Sequence, residues 1–293
     1  MHKAGFVNIV GNPNVGKSTL MNQLVGEKLS IATFKAQTTR HRIMGIVNTD
    51  DAQIVFSDTP GVLKPNYKMQ EMMLQFSESA LADADVLLYV TDVVEKPEKN
   101  MDFLEKVAKM QIPVILLINK IDESEQQKLG ELVEKWHSLL PNAEILPISA
   151  QNKFGIDILL KRIYELLPES PAFFDKDQLT DKPAKFFVSE IIREKILRYY
   201  DKEIPYAVEV VVERFKEDDK QIHINAVIYV ERSSQKGIII GHQGQALKKV
   251  STEARKSLER FFDKKIFLET FVKVDKDWRN SQKELNNFGY NPE

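Results

Sequence analysis

Continuous apolar runs recur along the first half of the chain, at residues 6–10 (broken only by Asn8), 86–90, 114–118 and 145–148. Such runs are typical of central strands that are covered on both faces of a parallel sheet. Segments between them, such as residues 103–110, have helical character, and the apolar residues 43–47 and 54–56 flank Asp50 and Asp51 as in a hairpin. The pattern predicts an α/β domain: a doubly wound, mostly parallel sheet with helices on both faces and ligands at the carboxyl ends of the strands.

The second half of the chain follows a different order of elements. Its pattern predicts a helix over residues 185–200, strands over 207–212 and 222–230, two helices joined near residue 241, and a strand over 266–274. A polar stretch punctuated by prolines, from Pro168 to Pro183, separates the two halves. We therefore expect a first domain over residues 1–170, a linker over 171–183, and an α+β domain over 184–293 that ends in a helix or tail.

The composition is ordinary for a globular protein, with 43% hydrophobic and 29% charged residues among 293. The sequence has no cysteine, which excludes disulfides, thiolate zinc sites and cysteine nucleophiles. The start leads into a strand rather than a signal peptide, and no apolar run approaches the roughly 18 residues that span a bilayer, so we expect a cytosolic protein. The formal net charge is −2, and the excess of basic residues after residue 180 is too small to prove a polyanion partner.

Residues 11–19 follow the first predicted strand and precede a predicted helix. Their spacing, G-x-x-x-x-G-K-S, is that of a phosphate-binding loop. Glycines let the backbone wrap an anion with its N–H groups pointing inward, and the helix adds the positive end of its dipole. Lys17 is expected to reach the β- and γ-phosphates, and Ser18 to ligate Mg²⁺. The predicted nucleotide-binding residues here are Gly11, Asn12, Pro13, Asn14, Val15, Gly16, Lys17, Ser18 and Thr19.

A second candidate group follows the strand that ends near residue 58. Asp58 lies about 40 residues after Ser18, where a carboxylate can hold the metal through water. Gly61 offers an unobstructed backbone N–H to a γ-phosphate. The same four residues, D-T-P-G, are also common in turns that have no ligand.

Polar residues after two further strands are suited to reading a base. Asp122, predicted to be buried, can accept hydrogen bonds from guanine N1–H and the 2-amino group. Adenine lacks both donors, and leaving that charge unpaired would cost roughly 2–4 kcal/mol. The Lys120 stem can lie against the base, and Asn119 can connect neighbouring loops. In the segment Ser149, Ala150 and Gln151, the Ala150 N–H can donate to guanine O6.

Taken in order, residues 11–18, 58–61, 119–122 and 149–151 resemble the signature motifs of the translation-factor-related small GTPases, and residues 37–41 fit their remaining switch motif. The resemblance implies GTP and GDP as ligands. It also implies a Mg²⁺ ion held by Ser18, Asp58 and a second hydroxyl, with Thr39 preferred and Thr38 as the alternate. The catalytic residues implied are Asn14, Lys17, Thr39 and Gly61.

Two positions differ from Ras-type enzymes in ways that affect the mechanism. Val62 stands where those enzymes carry a water-orienting glutamine, and an apolar side chain cannot orient water by hydrogen bonding. Slow intrinsic hydrolysis is therefore expected, unless another polar residue takes over. Asn14 resembles the asparagine with which similar GTPases bind K⁺ in place of an arginine finger. The alternative is an asparagine that only makes a turn.

In the second half, an apolar helix end at residues 238–240 runs into G-x-x-G and then into a basic helix. The order helix–strand–strand–helix–GxxG–helix–strand resembles a type II KH domain, which clamps about four nucleotides of single-stranded RNA. His242 is interpreted as a polar loop residue rather than a metal ligand. Trp278 can either stack on a base or pack a short terminal helix. The candidate RNA-binding residues are Lys236, Gly241, His242, Gln243, Gly244, Lys248, Lys249 and Arg255.

A small GTPase followed by a type II KH domain resembles the Era GTPases over nearly the whole chain. The resemblance implies a monomer that binds the single-stranded 3′ region of 16S ribosomal RNA and acts in assembly of the 30S ribosomal subunit. It also implies peripheral association with the inner face of the cell membrane. The alternative is a GTPase whose main partner is a protein or membrane surface, with the KH-like unit as a docking module. Residues 119–122 disfavour an ATP-dependent RNA enzyme.

Overall fold

The computed structural model describes residues 2–291, which divide into two compact units. The first unit contains the residues up to 66 and residues 70–181, and the second contains residues 67–69 and 182–291. The division falls in the proline-punctuated stretch between the two halves of the sequence. The exact domain boundaries at residues 170 and 184 stay predictions.

Within the described residues, the first unit is built on a six-stranded sheet of order β2-β3-β1-β4-β5-β6. Only β2 runs antiparallel to its neighbour, so the predicted doubly wound, mostly parallel sheet and its hairpin are confirmed. The strands are β1 (Lys3–Gly11), β2 (Ile43–Asn48), β3 (Ala52–Asp58), β4 (Val86–Asp92), β5 (Val114–Asn119) and β6 (Glu144–Pro147). The helices are α1 (Lys17–Val25), α2 (Lys68–Ala82), α3 (Met101–Ala108), α4 (Gln126–Leu139) and α5 (Ile156–Leu166).

The central strands of this sheet have no exposed residue. Every residue of β3 and β4 is buried, as expected for strands covered on both faces. At Gly45 in β2, an added Cβ atom would lie 2.6 Å from the Met21 side chain, so the glycine lets α1 pack closely on the sheet. These contacts hold the strand ends, and the loops that follow them, in fixed positions.

The segment predicted to be a linker makes ordered contacts with the edge of this sheet. The Ile46 N–H donates to the Leu179 carbonyl at 2.8 Å, and Thr180 pairs with Gly45 in an isolated bridge. The buried Gln53 amide also donates to the Phe174 carbonyl at 2.8 Å. The segment therefore covers backbone groups of edge strand β2 that would otherwise be unpaired, and it is not a free spacer.

The second unit, as far as the structure describes it, has a three-stranded sheet of order β7-β8-β9, in which β8 pairs antiparallel with β7 and parallel with β9. Helices α6 and α8 pack on one face, and the apolar core lies between them and the sheet. The predicted order of elements is confirmed. These elements are α6 (Ala184–Tyr199), β7 (Val208–Glu217), β8 (Gln221–Val230), α7 (Ser233–Ile240), α8 (Gln245–Phe262), β9 (Lys265–Val274) and α9 (Gln282–Asn287).

Trp278 packs inside the second unit rather than facing solvent. Its side chain is fully buried, and its indole Nε1–H donates to the Ala207 carbonyl at 3.3 Å. The packing alternative for this residue therefore holds, and base stacking by Trp278 is excluded in this arrangement. No helix within residues 2–291 is both long and apolar enough to cross a membrane.

Candidate functional site

A cleft of about 580 Å³ opens at the carboxyl ends of the strands in the first unit. Most of the predicted nucleotide-binding residues line it, whereas Gly11, Asn12, Val15, Asp58 and Ala150 are buried outside its lining. The lining residues from that prediction are Pro13, Asn14, Gly16, Lys17, Ser18, Thr19, Gly61, Asn119, Lys120, Asp122, Ser149 and Gln151. The topology thus brings together four sequence motifs that are far apart in the chain.

The glycines of the phosphate loop are required by close packing. Gly11 has φ of +145°, and a Cβ atom there would lie 2.1 Å from the Val90 carbonyl oxygen. Gly16 has φ of +96°, and a Cβ atom there would lie 2.2 Å from Asn119 Nδ2. Any side chain would displace the loop from the strand ends, so the curvature needed to cradle an anion depends on these two residues.

Lys17 is held inside the phosphate loop by the loop's own backbone. Its Nζ donates to the Gly11 carbonyl at 3.0 Å and to the Asn12 carbonyl at 2.8 Å. Burial lowers the pKa of Lys17 to about 8, although the nearby Asp58 carboxylate opposes that shift. The ammonium group is therefore already positioned in the loop where phosphate oxygens would bind.

Ser18, Thr39 and Asp58 form a compact cluster of oxygen atoms beside Lys17. Ser18 Oγ donates to Asp58 Oδ2 at 2.7 Å and lies 2.8 Å from Thr39 Oγ1. Burial raises the pKa of the Asp58 carboxyl, which the Lys17 charge opposes. Asp58 Oδ1 is buried and has no hydrogen-bond partner within residues 2–291. Hydroxyl and carboxylate oxygens suit Mg²⁺, so the cluster fits this ion.

The structure distinguishes between the two candidate threonines. Thr39 Oγ1 also lies 3.4 Å from Asp58 Oδ2, which places it in the oxygen cluster. Thr38 Oγ1 instead donates to the Lys35 carbonyl at 2.6 Å and lies 2.7 Å from Thr33 Oγ1. The geometry therefore favours Thr39 as the second hydroxyl ligand.

The turn after β3 passes directly over the phosphate loop. A Cβ atom at Gly61 would lie 2.7 Å from the Pro13 backbone, so only glycine fits there. Val62 is buried in the apolar core of the first unit, and its N–H donates to the Gly11 carbonyl at 3.0 Å. Its side chain is both apolar and buried, and therefore cannot contact a water molecule in the cleft.

Asn119 connects two loops at the base-binding end of the cleft. Its Nδ2 donates to the Val15 carbonyl at 2.8 Å, and its Oδ1 accepts the Ala150 N–H at 2.9 Å. The predicted loop-connecting role agrees with these contacts. The prediction for Ala150 needs a correction, because its N–H already has a partner. A guanine O6 would have to share this donor with Asn119.

Asp122 is exposed on the wall of the cleft, so the expectation of a buried carboxylate is wrong for the chain alone. It follows the end of β5 in a short turn. Lys120, which was expected only to lie against the base, also donates from Nζ to Asp92 Oδ2 at 2.5 Å and to the Asn14 carbonyl at 2.7 Å. Asp92 is a site residue that sequence reasoning missed. Its position at the end of apolar strand β4 was the available signal.

Asn14 is exposed at the mouth of the cleft and has φ of +67°. Asparagine adopts this left-handed conformation more readily than most residues, which supports the turn interpretation. Its side chain nevertheless lines the same cleft as Lys17 and Gly61, which also fits a cation ligand.

The second unit presents the G-x-x-G turn between α7 and α8. Gly241 has φ of +71°, and a Cβ atom there would lie 2.6 Å from the Ala246 Cβ atom. Gly244 has φ of +75° with open space around it, and both His242 and Gln243 are exposed. The N-cap residue of α8 is Gly244, which has no side chain to cap the helix, so the first N–H groups of α8 can bind phosphate.

The basic residues near this turn differ in how well they can contact a phosphate group. Lys248 is exposed, and Lys249 lies 4.3 Å from the centre of the Tyr199 ring. Arg255 is partly neutralised, because its Nη1 lies 2.7 Å from Glu259 Oε1. Lys236, on α7, is half-buried. Lys248 is therefore better placed than Arg255 to meet a phosphate backbone.

Comparisons with known proteins find matches for both halves of the chain. The 50S ribosome-binding GTPase family matches residues 6–120, and the KH domain family matches residues 203–279. GTPase Era of Clostridium kluyveri is 44% identical over 99% of this chain and 100% of the relative. GTPase Era of Ruminiclostridium cellulolyticum is 42% identical over 99% of this chain and 98% of the relative.

Two solved structures are similar over almost the whole chain. One is Era in complex with MgGDPNP and nucleotides 1506–1542 of 16S ribosomal RNA, with a TM-score of 0.95, 38% identity and 99% coverage of both chains. The other is a point variant of Aquifex aeolicus Era bound to GDP·AlF₄⁻, with a TM-score of 0.94 and 38% identity over 98% of this chain and 99% of that one.

Proposed function

This chain belongs to the Era family of GTPases, and from that premise we propose that it binds 16S ribosomal RNA near the 3′ end and acts in 30S subunit assembly. It binds GTP and GDP with Mg²⁺ and hydrolyses GTP. The observation that carries the proposal is that one chain holds both the Ser18–Thr39–Asp58 oxygen cluster and an exposed G-x-x-G turn. We expect the protein to work in the cytoplasm as a monomer.

The residues of the first unit divide the work on the nucleotide. The loop N–H groups and Lys17 bind the β- and γ-phosphates, and the Gly61 N–H binds the γ-phosphate. Ser18, Thr39 and Asp58 would hold Mg²⁺, which when bound would neutralise charge on the transferred phosphoryl group. Asp122 accepts the guanine N1–H and 2-amino hydrogens. These groups position and stabilise charge, which is how phosphoryl transfer is mainly catalysed.

Hydrolysis by the chain alone is slow, because Val62 is buried and apolar where a water-orienting side chain is needed. We assign to Asn14 the binding of a K⁺ ion that adds positive charge beside the phosphates. Its exposed side chain on the wall of the cleft supports this assignment. Partner-stimulated hydrolysis would then time release from RNA.

The second unit binds single-stranded RNA through the G-x-x-G turn and the start of α8. Glycines let the sugar–phosphate backbone approach the turn closely, and type II KH domains clamp about four nucleotides in this way. Lys248 and Arg255, seven residues apart on α8, lie on the same face of that helix, and Lys248 adds most of the positive charge because Arg255 pairs with Glu259. Peripheral binding to the inner face of the membrane stays a prediction.

The test is equilibrium binding of a fluorescent single-stranded RNA from the 3′ end of 16S ribosomal RNA, measured across salt concentrations. Changing His242 and Gln243 both to Asp places two negative charges where phosphates should lie. Affinity should fall by about tenfold or more, while GTP affinity and Tm stay unchanged. The matched control changes the exposed Gln126 and Gln127 of α4 to Asp, which adds the same charge on the first unit.

Two results would contradict the RNA proposal. One is unaltered RNA affinity in the double variant, which would move the binding surface elsewhere. The other is RNA binding by the native chain that is weak and independent of salt. That result would favour the alternative in which the second unit docks on a protein or membrane surface.

A further inference from the structure

The three-stranded sheet of the second unit has two faces of different character. Even-numbered residues of β9, such as Ile266 and Val272, face the core, so the odd-numbered ones face away from the helices. A sheet with one solvated face normally alternates apolar inside and polar outside. Here Phe267 and Phe271 point outward and are 50% and 48% exposed. Burial in the unit's own core does not explain these two rings.

The chain's own C-terminal segment covers only one end of this face. There, Tyr229 of β8 packs against Phe288 with ring centres 5.3 Å apart, and Tyr290 donates its hydroxyl to Glu209 at 2.7 Å. Tyr290 is fully buried, whereas Phe267 and Phe271 lie further along β9 and stay half exposed. On this face the C-terminal segment therefore covers Tyr229 and leaves Phe267 and Phe271 uncovered.

Basic side chains surround the uncovered end. In the sheet register Lys216 lies beside His223, and His223 lies beside Phe267 with ring centres 5.5 Å apart. Arg214 lies in the next row of the same face, and Lys265 lies two residues before Phe267. We call this surface the outer aromatic face: Arg214, Lys216, His223, Lys265, Phe267 and Phe271.

The charge on this side of the sheet is positive overall. Lys273 also points outward but pairs with Glu213 at 2.9 Å. Glu209 and Glu269 are further acids of the face, and Glu209 accepts the Tyr290 hydroxyl. Four cationic residues of the strands, Arg214, Lys216, Lys265 and Lys273, thus stand against three acidic ones. Exposed aromatic rings flanked by cations are what a single-stranded nucleic acid needs, since bases stack on the rings and phosphates meet the cations.

We propose that the outer aromatic face is a second binding surface for single-stranded RNA, separate from the G-x-x-G turn. Phe267 and Phe271, about 13 Å apart along the strand, each stack on a different base. Arg214, Lys216 and Lys265 bind the phosphates between and beside them. The proposal rests on the proposed RNA function and extends it: RNA clamped at the turn continues onto the sheet. The face favours RNA over an apolar protein surface because three exposed cations, Arg214, Lys216 and Lys265, lie around the rings.

The experiment compares two RNA probes: one of about six nucleotides, which fits the clamp alone, and one of about 20 nucleotides, which can reach both surfaces. The change of Phe267 and Phe271 both to Ala should weaken binding of the longer RNA by about tenfold and leave the shorter one unchanged. The change of both to Leu, which keeps apolar bulk but removes the rings, should be equally damaging. Phe154→Ala, which removes a similarly exposed ring from the first unit, is the matched control.

The charged residues supply an independent readout. Changing Arg214, Lys216 and Lys265 to Gln should lower the salt slope for the longer RNA by about 2, because each phosphate contact contributes about 0.7 on single strands. Trypsin also releases residues 266–273 as one peptide that contains both phenylalanines. Photocrosslinking of the longer RNA to the native chain should label this peptide, even if a variant fails to fold.

The outcomes separate the two RNA proposals. If the shorter RNA does not bind the native chain, the proposed function fails. The second surface is overturned by a different pair of results, obtained while the shorter RNA still binds. These are an Ala pair that binds the longer RNA as tightly as the native chain does, and no crosslink to peptide 266–273. Full binding of the longer RNA by the Leu pair would also overturn stacking and indicate an apolar protein contact.

Discussion

Asn119 shows how a single side chain can organise the nucleotide site. Its amide contacts the Val15 carbonyl and the Ala150 N–H, so it joins the phosphate loop to the segment at residues 149–151. Lys120, the next residue, joins the same loop to Asp92. The base-recognition residues are therefore also structural, and changing them should affect more than the choice of base. Asp122 is the exception, because it is exposed.

We expect Asp122→Asn to change base specificity without changing the stability of the unliganded chain. The amide presents a donor to guanine N1–H, so GTP affinity should fall by roughly 2–4 kcal/mol, or about 30- to 700-fold. Xanthine nucleotides should bind better, since the C2 carbonyl of xanthine accepts that donor. Isothermal titration with both nucleotides measures the switch. Glu123→Gln, on the same wall of the cleft, should retain guanine preference.

If Asp122→Asn kept normal GTP affinity and gained no xanthine binding, the assignment of the base pocket would be wrong. The types of the site residues could be predicted because their motifs stand at strand ends in order. Two details of the site could not be predicted from the sequence. The partner of the Ala150 N–H depends on how close two distant loops come, and the exposure of Asp122 depends on a turn whose packing leaves no sequence pattern.

At the scale of elements, the phosphate loop is fixed by contacts on every side. Gly11 packs on Val90, Gly16 on Asn119, and Pro13 on Gly61. Within this fixed loop Asn14 has a positive φ, which glycine also tolerates. Glycine at this position therefore keeps the turn but removes the side-chain oxygen. This gives a way to separate the two interpretations of Asn14.

We expect K⁺ to raise the rate of GTP hydrolysis severalfold over Na⁺ at equal ionic strength. Asn14→Gly should lose that difference, because a K⁺ ion would lack its side-chain oxygen ligand, while GTP affinity stays near normal. Phosphate release measured in KCl and NaCl provides the comparison. If the glycine variant kept the stimulation, Asn14 would serve only the turn. Equal rates in both salts for the native chain would remove the cation altogether.

Most elements could be predicted from the apolar periodicity, since buried strands and the two helices around the G-x-x-G turn carry strong patterns. The structure of the segment around Leu179 and Thr180 could not be predicted. Its prolines and polar residues indicate a spacer, yet its backbone pairs with β2. Backbone pairing to an edge strand requires no particular side chains, so composition cannot reveal it. The exposure of the two outward phenylalanines of β9 could not be predicted either, because the alternation of a strand does not show what covers its outer face.

At the scale of the whole molecule, one chain carries a nucleotide site and an RNA site, and its function as a switch requires that they be coupled. Residues 29–42 lack a regular period, and Thr39 within them bonds to Ser18 in the oxygen cluster. Such a segment should be ordered while the γ-phosphate and Mg²⁺ are bound and released after hydrolysis. Coupling is reciprocal, so RNA must tighten GTP binding by the same factor by which GTP tightens RNA binding.

The most direct test of this account is the RNA affinity of the full chain with a non-hydrolysable GTP analogue, with GDP and without nucleotide. We predict binding that is about 5- to 150-fold tighter with the analogue than with GDP, which corresponds to a coupling of about 1–3 kcal/mol. Thr39→Ala should bind the analogue yet hold RNA as the GDP form does. Identical RNA affinities in all three states would contradict the account, because the chain would then be two independent modules joined by a tether.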